Sequence, residues 1–472
     1  MSKRVVPSWA VLAVCCVAQF MVVLDVSIVN VALPKMRTDL DLSATSQQWI
    51  INAYTLTFAG FLLLGGRAAD LFGRRRVFLL GLGVFTACSL LGGLAQNGGS
   101  LIAARAGQGV GGAILAPATL SLLTTTFIEP AARRRALGAW SATAASGAAA
   151  GVLAGGLLTD LLDWRWVLLV NVPIGVALIA AAMASLAESK ADARASLDIA
   201  GAVTVTGGLA LLVYGIVSTD ARPWGSPATI LTLLGGTALL ATFIVIEART
   251  ANPLVPLQVF RLRSVATANG IAVMLGAALF SMFFFLSLYL QQVNGYSPLK
   301  AGVAFLPLAL ATLTGALSAP RLVTRIGVRR QLIIGPVLGA AGLAWLSQLS
   351  AGDGYFAHAF GALVITGLGL GLTFVPMTIA ATADVPLHQA GLASGLINTT
   401  RQIGGAVGLA VMATIAAQAS SPTAGYDRAF WICAAALVIA AALARAIPGK
   451  PKPQRHVTSR EEIAKPAVLA DA

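Results

Sequence analysis

The sequence predicts an all-α integral membrane protein with two related six-helix bundles and two further helices between them. Its 472 residues are 57% hydrophobic and only 11% charged, whereas a soluble chain carries about 25% charged residues. Long apolar runs recur along the chain, and three pairs of segments resemble each other at nearly constant spacing. These observations place the chain in a lipid bilayer, where each helical span needs about 20 apolar residues.

Charged residues and Gly, Pro or Asn divide the apolar sequence into fourteen expected membrane-spanning helices. Run length, and the absence of a ten-residue alternating pattern, favour helices over the strands of a β-barrel. The expected spans are residues 9–33, 47–68, 77–96, 100–123, 136–160, 164–186, 197–219, 228–247, 264–290, 299–320, 331–350, 356–380, 391–418 and 428–447.

The basic residues predict how these spans are oriented. If both termini are cytoplasmic, 24 of the 32 Lys and Arg residues fall in cytoplasmic segments, 6 fall in outer segments and 2 lie within spans. Such a bias is the positive-inside pattern of membrane proteins. It also accounts for the net charge of +14 without nucleic-acid binding, because the excess is spread over many short loops instead of one face.

An internal repeat predicts the domain organisation. Residues 70–76 resemble 324–330, residues 108–117 resemble 367–376, and the glycines at 138, 147 and 151 match those at 395, 404 and 408. Each offset corresponds to a shift of eight spans, so two spans lie between six-span halves. The predicted parts are an N-terminal bundle (1–190), an inserted helix pair (191–260), a C-terminal bundle (261–447) and a disordered cytoplasmic tail (448–472). Parallel six-span repeats are typical of transporters with a substrate site at the repeat interface.

Ionisable residues inside the spans are candidates for function. Asp25 is the only carboxylate predicted well inside a span, and Arg105 lies at a similar depth in span 4. Such residues are functional by default, but a static ion pair that fixes helix packing is the alternative. Gln108 lies one turn beyond Arg105 and is expected to bond its guanidinium or a substrate. Arg401 is the other cation predicted within a span.

Four glycines on span 5, namely Gly147, Gly151, Gly155 and Gly156, predict close contact between helices. Packing alone and a role in conformational change both remain open for them. Nothing in the sequence predicts an enzyme: the three histidines lack metal-ligand spacing, and no phosphate-binding Gly-Lys-Ser/Thr motif occurs. The sequence therefore predicts no metal and no cofactor, with an ion gradient as the source of energy.

Six segments resemble motifs of one family. They are "LDVSIVNVALP" (24–34), "GRAADLFGRRR" (66–76), "LIAARAGQGVGGA" (101–113), "GAAAGVLAGG" (147–156), "WRWVLLVNVPIG" (164–175) and "GLASGLINTTRQIGGAVG" (391–408). Together they resemble the 14-span drug:proton antiporter branch of the major facilitator superfamily, over essentially the whole chain. The departures are Ser27 for the usual Thr, Ala68 and Leu71 in the loop motif, and Val152 for the usual Pro.

The resemblance implies a major facilitator fold and assigns expected roles to particular residues. Asp25 and Arg105 are expected to couple transport to protons. The cytoplasmic gating loop is expected to contain Gly66, Asp70, Gly73, Arg74 and Arg75. A central substrate cavity is expected to include Gln108, Arg401 and aromatic residues among Tyr54, Phe58, Phe284, Tyr289 and Phe374. For each of these aromatic residues, packing or contact with lipid is the alternative.

The function that the resemblance implies is proton-coupled efflux of amphipathic or cationic small molecules by alternating access. We expect a functional monomer in the bacterial plasma (inner) membrane, with the lipid bilayer and a small-molecule substrate as its partners. A dedicated exporter of an endogenous lipid, siderophore or antibiotic is the alternative, and Val152 leaves proton symport open. A non-transporting membrane sensor or scaffold is less favoured, because the loop motif and both intramembrane charges are present.

Overall fold

The computed structural model describes residues 7–190, 197–220, 222–250, 253–349, 354–385 and 390–448. Sixteen α-helices account for most of these residues: α1 (Ser8–Asp39), α2 (Ala44–Phe72), α3 (Arg74–Gly93), α4 (Gly98–Thr126), α5 (Pro130–Leu161), α6 (Trp166–Leu169), α7 (Asn171–Ser185), α8 (Ile199–Val217), α9 (Pro227–Arg249), α10 (Arg263–Leu288), α11 (Pro298–Ala304), α12 (Leu306–Ile326), α13 (Val328–Leu346), α14 (Phe360–Thr382), α15 (Ala390–Ala417) and α16 (Pro422–Ala444). Short π-helical segments, Tyr289–Val293 and Tyr355–Ala359, extend α10 and precede α14.

Small polar residues set where several of these helices begin. The first N–H groups of a helix have no partner within it, and a Ser, Asn or Asp side chain at the N-cap accepts one of them. The Ser43 hydroxyl accepts from the N–H of Ser46 at 3.0 Å, and the Asn97 side chain accepts from the N–H of Ser100 at 2.9 Å. The same kind of cap begins α8, α9, α11 and α16.

The all-helical membrane fold is confirmed, but the count of fourteen spans is not. Each expected span corresponds to one helix or to two consecutive helices. Among the described residues, twelve helical segments are long and apolar enough to cross a membrane, and α13 and α15 are not among them. Polar residues lower their hydropathy: α13 contains Arg329 and Arg330 in its first turn, and α15 carries Arg401 and Gln402 in its middle. Whether these two helices cross the bilayer stays a prediction.

Helix packing follows the repeat seen in the sequence. In the first half α1 packs on α5, and α4 packs on both α2 and α3. In the second half the equivalent helices make the same pairs, with α10 on α15 and α14 on both α12 and α13. Helix α8 lies against α2 and α15, at a junction of the two halves, and α9 packs on α8. The domain limits stay a prediction, and the expected tail beyond residue 448 lies outside the described residues.

Candidate functional site

The centre of the first bundle contains a buried ion pair. The Arg105 guanidinium on α4 donates from Nη1 to Oδ2 of Asp25 on α1 at 2.6 Å. The Asp25 side chain is 0% exposed and that of Arg105 is 2% exposed. Removing two charges from water is costly unless they are paired and further hydrogen-bonded. The two intramembrane charges singled out in the sequence are therefore in direct contact.

Two amides complete the hydrogen bonding of the carboxylate. Oδ1 of Asp25 accepts from Nε2 of Gln108 at 2.7 Å and from Nδ2 of Asn171 at 3.0 Å. The Ser89 hydroxyl accepts from the same two amides, at 3.0 and 3.1 Å, and donates to the Leu168 carbonyl. Asp25 thus receives three N–H donors, a set that suits a carboxylate, which only accepts hydrogen bonds.

The guanidinium has further partners on α2 and α4. Nη1 of Arg105 also lies 2.6 Å from Oε1 of Gln108, and its Nε donates to the Ile50 carbonyl at 3.3 Å. Its plane lies 4.4 Å from the ring centroid of Tyr54, a cation–π contact. Tyr54 stacks in turn on Phe58 at 5.8 Å. Of the five aromatic residues expected at a cavity, Tyr54 therefore contacts the ion pair and Phe58 packs on Tyr54.

The expected gating loop between α2 and α3 is tied down mainly by the first bundle. Gly73 separates the two helices with φ +105°, a backbone conformation that glycine adopts without strain. Arg74 bonds Asp70 at 2.9 Å and the Ser121 hydroxyl of α4 at 2.6 Å. The Glu188 carboxylate, after α7, accepts from the N–H groups of Arg75 and Arg76, both at 3.2 Å.

Gly66 and Arg67 of this motif contact two other parts of the chain. Gly66 faces Pro117 of α4, which would lie 3.4 Å from a β-carbon added there. The Arg67 side chain bonds a part of the chain outside the first bundle: its Nη1 donates to the Pro253 carbonyl at 3.0 Å, in the segment between α9 and α10. The family resemblance implies that this motif gates the two halves, and that role stays a prediction.

The glycines of α5 allow two helices to approach it. A β-carbon on Gly147, Gly151 or Gly155 would lie 2.5 to 3.0 Å from a carbonyl oxygen of α1. On Gly156 it would lie 2.6 Å from the Pro298 carbonyl of α11, in the second half of the chain. The expected close contact is present. Its part in conformational change stays a prediction.

The remaining cavity candidates lie in the second half of the chain. Arg401 on α15 donates from Nη2 to Oδ1 of Asn398 at 2.7 Å, and its guanidinium lies 5.4 Å from the ring centroid of Phe374. Phe284 is buried in the core and meets Phe285 edge-on at 5.2 Å, as the packing alternative expects. Tyr289 is buried in the π-helical turn after α10.

Sequence reasoning missed the bonds that join the two bundles at the predicted outer side. The Ser287 hydroxyl on α10 donates to the Asn30 carbonyl at 2.8 Å, and Nε2 of Gln291 donates to the Val31 carbonyl at 2.9 Å. Both acceptors are backbone groups of α1. With Gly156 against Pro298, they hold the outer ends of the halves together.

A duplicated helical bundle whose two halves meet at an interface is typical of membrane transporters. The family model described as Major Facilitator Superfamily matches residues 15–409, and the chain belongs to this superfamily. It is a multi-pass membrane transporter and not an enzyme, as the sequence predicts.

Similar proteins include several associated with antibiotics. The chain is 45% identical to the cephamycin export protein CmcT of Amycolatopsis lactamdurans, covering 87% of this chain and 85% of that protein. It is 42% identical to the puromycin resistance protein pur8 of Streptomyces alboniger, covering 88% and 82%. It is 33% identical to the tetracenomycin C resistance and export protein of Streptomyces glaucescens, covering 96% and 86%. The predicted drug efflux agrees with these relatives.

Solved structures agree on the fold. The peptide transporter POT in complex with sulfate superposes with a TM-score of 0.68 at 16% identity, covering 93% of this chain and 96% of that one. A mutant of the nucleoside transporter NupG gives a TM-score of 0.67 at 11% identity, covering 93% and 99%. At such identities the likeness concerns the fold alone, and the major facilitator fold is confirmed.

Proposed function

We propose that the chain is a drug:proton antiporter that exports antibiotics or other amphipathic or cationic small molecules by alternating access. The observation that carries this proposal is the Asp25–Arg105 pair, buried and fully hydrogen-bonded within a helical bundle of a transporter. The energy source is the proton gradient, with no cofactor. The protein works as a monomer in the bacterial plasma (inner) membrane, with both termini cytoplasmic.

The hydrogen bonds at Asp25 supply a physical route to coupling. Three N–H donors converge on this carboxylate, and a proton placed on it removes the negative charge that strengthens the bond from Arg105. Arg105 already has other partners, the Gln108 amide oxygen, the Ile50 carbonyl and the Tyr54 ring. Protonation therefore weakens the Arg105–Asp25 bond while the guanidinium keeps its other bonds. Such an exchange links proton occupancy to the positions of α1 and α4.

The names of the relatives support export of antibiotics. They are compatible with two kinds of exporter, a resistance pump and a dedicated exporter. A resistance pump accepts many compounds, whereas a dedicated exporter carries one endogenous product, such as an antibiotic, lipid or siderophore. Cephamycin, puromycin and tetracenomycin C, each named in one relative, are all small-molecule antibiotics. The second version is therefore our alternative proposal, with an antibiotic as its favoured cargo.

A susceptibility and efflux panel in a host deleted for its own pumps tests the proposal. Wild type should raise the minimal inhibitory concentration of at least one antibiotic, and Asp25→Asn should abolish that gain at equal membrane abundance. Asp384→Asn is the matched control, since Asp384 is an exposed carboxylate. Protection by Asp25→Asn equal to wild type would contradict the coupling role. Proton entry on substrate addition to everted vesicles, in place of exit, would indicate symport.

A further inference from the structure

Two carboxylates outside the Asp25 site are buried where the inserted helices meet the rest of the protein. Glu247, in the last turn of α9, is 3% exposed, and Asp198, the N-cap of α8, is 6% exposed. Each uses one oxygen for a backbone N–H: Glu247 accepts from Val255 at 3.0 Å, and Asp198 accepts from Gly201 at 2.7 Å. The ion pair and its coupling role account for neither carboxylate.

The other oxygen of each carboxylate has no hydrogen-bond partner and is fully buried. These atoms are Oδ2 of Asp198 and Oε1 of Glu247. A buried acceptor without a donor costs about 1–3 kcal/mol, and more if it is charged. Both oxygens of Asp25, the other buried carboxylate among the described residues, accept hydrogen bonds. Two atoms without a donor close together therefore indicate that a donor belongs there.

Gly201 shows that the two orphan oxygens converge. A β-carbon added at Gly201 would lie 2.7 Å from Oδ2 of Asp198 and 2.9 Å from Oε1 of Glu247. The oxygens are therefore less than about 6 Å apart, across a space that only glycine leaves free. Two carboxylates that share one site cannot both stay ionised without cost, and a single proton relieves it.

The groups around the pair do not suit a metal ion. The charged group of another helix that acts on Glu247, besides Asp198, is Arg67 of α2, and its guanidinium is bonded to the Pro253 carbonyl. Among the described residues, no group of three or more His, Cys, Asp or Glu side chains is placed to hold a metal ion. Magnesium and calcium ions require about six or more oxygen ligands, and two orphan oxygens are too few.

A cavity adjoins one member of the pair, Glu247. A cavity of about 460 Å³ is lined by Glu247 together with Thr250, Pro253, Pro256 and Gln258, at the segment between α9 and α10. By the predicted orientation this cavity opens on the cytoplasmic side. Glu247 is thus almost fully buried among protein atoms, and it borders a cavity that water can enter.

We propose that Asp198 and Glu247 form a second protonation site, a carboxyl pair that takes up one proton from the cytoplasmic side. The proton occupies an oxygen of one member and is shared with the other, which then accepts a hydrogen bond. The site lies where three parts of the chain meet: α8 and α9, the α9–α10 segment through Val255, and the loop motif through Arg67. Proton occupancy here holds that segment against the inserted helices.

Infrared spectroscopy on the purified full-length protein in nanodiscs tests this site. All spectra are recorded in the Asp25→Asn background, so that they do not depend on transport or on the coupling pair. At neutral pH, the background protein should show a protonated-carboxyl band with the intensity of one carboxyl group per molecule. Asp198→Asn and Glu247→Gln should each remove it, because an amide then donates to the remaining carboxylate. Asp384→Asn should leave it unchanged.

Either variant alone can overturn the proposal. Asn and Gln keep the oxygens that accept from Gly201 and Val255, so both variants are expected to fold, and size-exclusion profiles check this. An unchanged band in a folded Asp198→Asn or Glu247→Gln protein would exclude the shared proton. If one variant fails to fold, the other decides by the same reading. No band at all in the Asp25→Asn background would also refute the site.

Discussion

The Arg105→Ala variant is expected to show how strongly Asp25 and Arg105 stabilise each other. Arg105→Ala leaves Asp25, which is 0% exposed, without its counter-charge. Breaking a buried ion pair from one side costs about 3–5 kcal/mol, or about two to four orders of magnitude in the folded-to-unfolded ratio. Asp25→Asn leaves the guanidinium unpaired and costs a similar amount. The double variant contains no uncompensated charge, so its loss should be smaller than the sum by at least about 1.5 kcal/mol.

Reversible unfolding in mixed detergent micelles measures this double-mutant cycle. The matched control is the Asp70–Arg74 pair, which has a 2.9 Å contact but side chains 47% and 13% exposed. A cycle on that pair should give a coupling energy below about 1 kcal/mol, because exposed pairs contribute little. Additive effects of the Asp25 and Arg105 variants, within about 0.5 kcal/mol, would refute the inference that these two charges stabilise each other in the membrane.

Three further predictions concern contacts outside the ion pair. Gly156→Val places side-chain atoms against the Pro298 carbonyl and should strongly reduce efflux at normal expression. Gly138 has open space around it, so Gly138→Val should leave efflux unchanged. Equal efflux by both variants would contradict the role of this interface. Glu188→Ala removes the acceptor at the start of α3 and should lower the free energy of unfolding by about 0.5–2 kcal/mol, with Glu188→Gln recovering most of it in the same unfolding assay. Arg401→Gln should change which compounds are exported but leave proton release on addition of a retained substrate intact; loss of that release would move Arg401 into the coupling machinery.

The helices could be predicted from the sequence because each one is an apolar run with clear limits. Predicted and observed limits differ by only a few residues for most spans, since caps such as Ser43 and Asn97 follow polar loops. The span count went further than the composition supports. In α13 and α15, polar residues occupy helices that pack against protein, and their low hydropathy leaves the assignment to the membrane unconfirmed.

The centre of the site could be predicted only in part. Asp25 and Arg105 stand out because charge is rare in an apolar span. Asn171, which donates to the carboxylate, and Ser89, which accepts from the Asn171 amide, do not stand out, because neutral polar residues occur throughout these helices. The sequence signal for Asn171 is its place in segment 164–175, one of the six that resemble motifs of the family.

Other features depend on tertiary contacts that no local pattern encodes. Ser287 and Gln291 bond backbone carbonyls of α1, and a backbone acceptor has no sequence signature. Asp198 and Glu247 lie at helix ends, where acidic residues are usually solvated, and only the folded hairpin buries them side by side. Charge at the end of a span is therefore a poor guide to burial.

The central claim of the proposed function is that Asp25 alternates between a protonated state and the ion pair with Arg105, and that substrate binding releases the proton. The most direct measurement is proton release from the purified protein in detergent, read with a pH-sensitive dye in weak buffer, on addition of a compound that the efflux panel identifies as exported. Wild type should release close to one proton per bound molecule, Asp384→Asn should do the same, and Asp25→Asn should bind the compound without release. Undiminished release from Asp25→Asn would contradict the account.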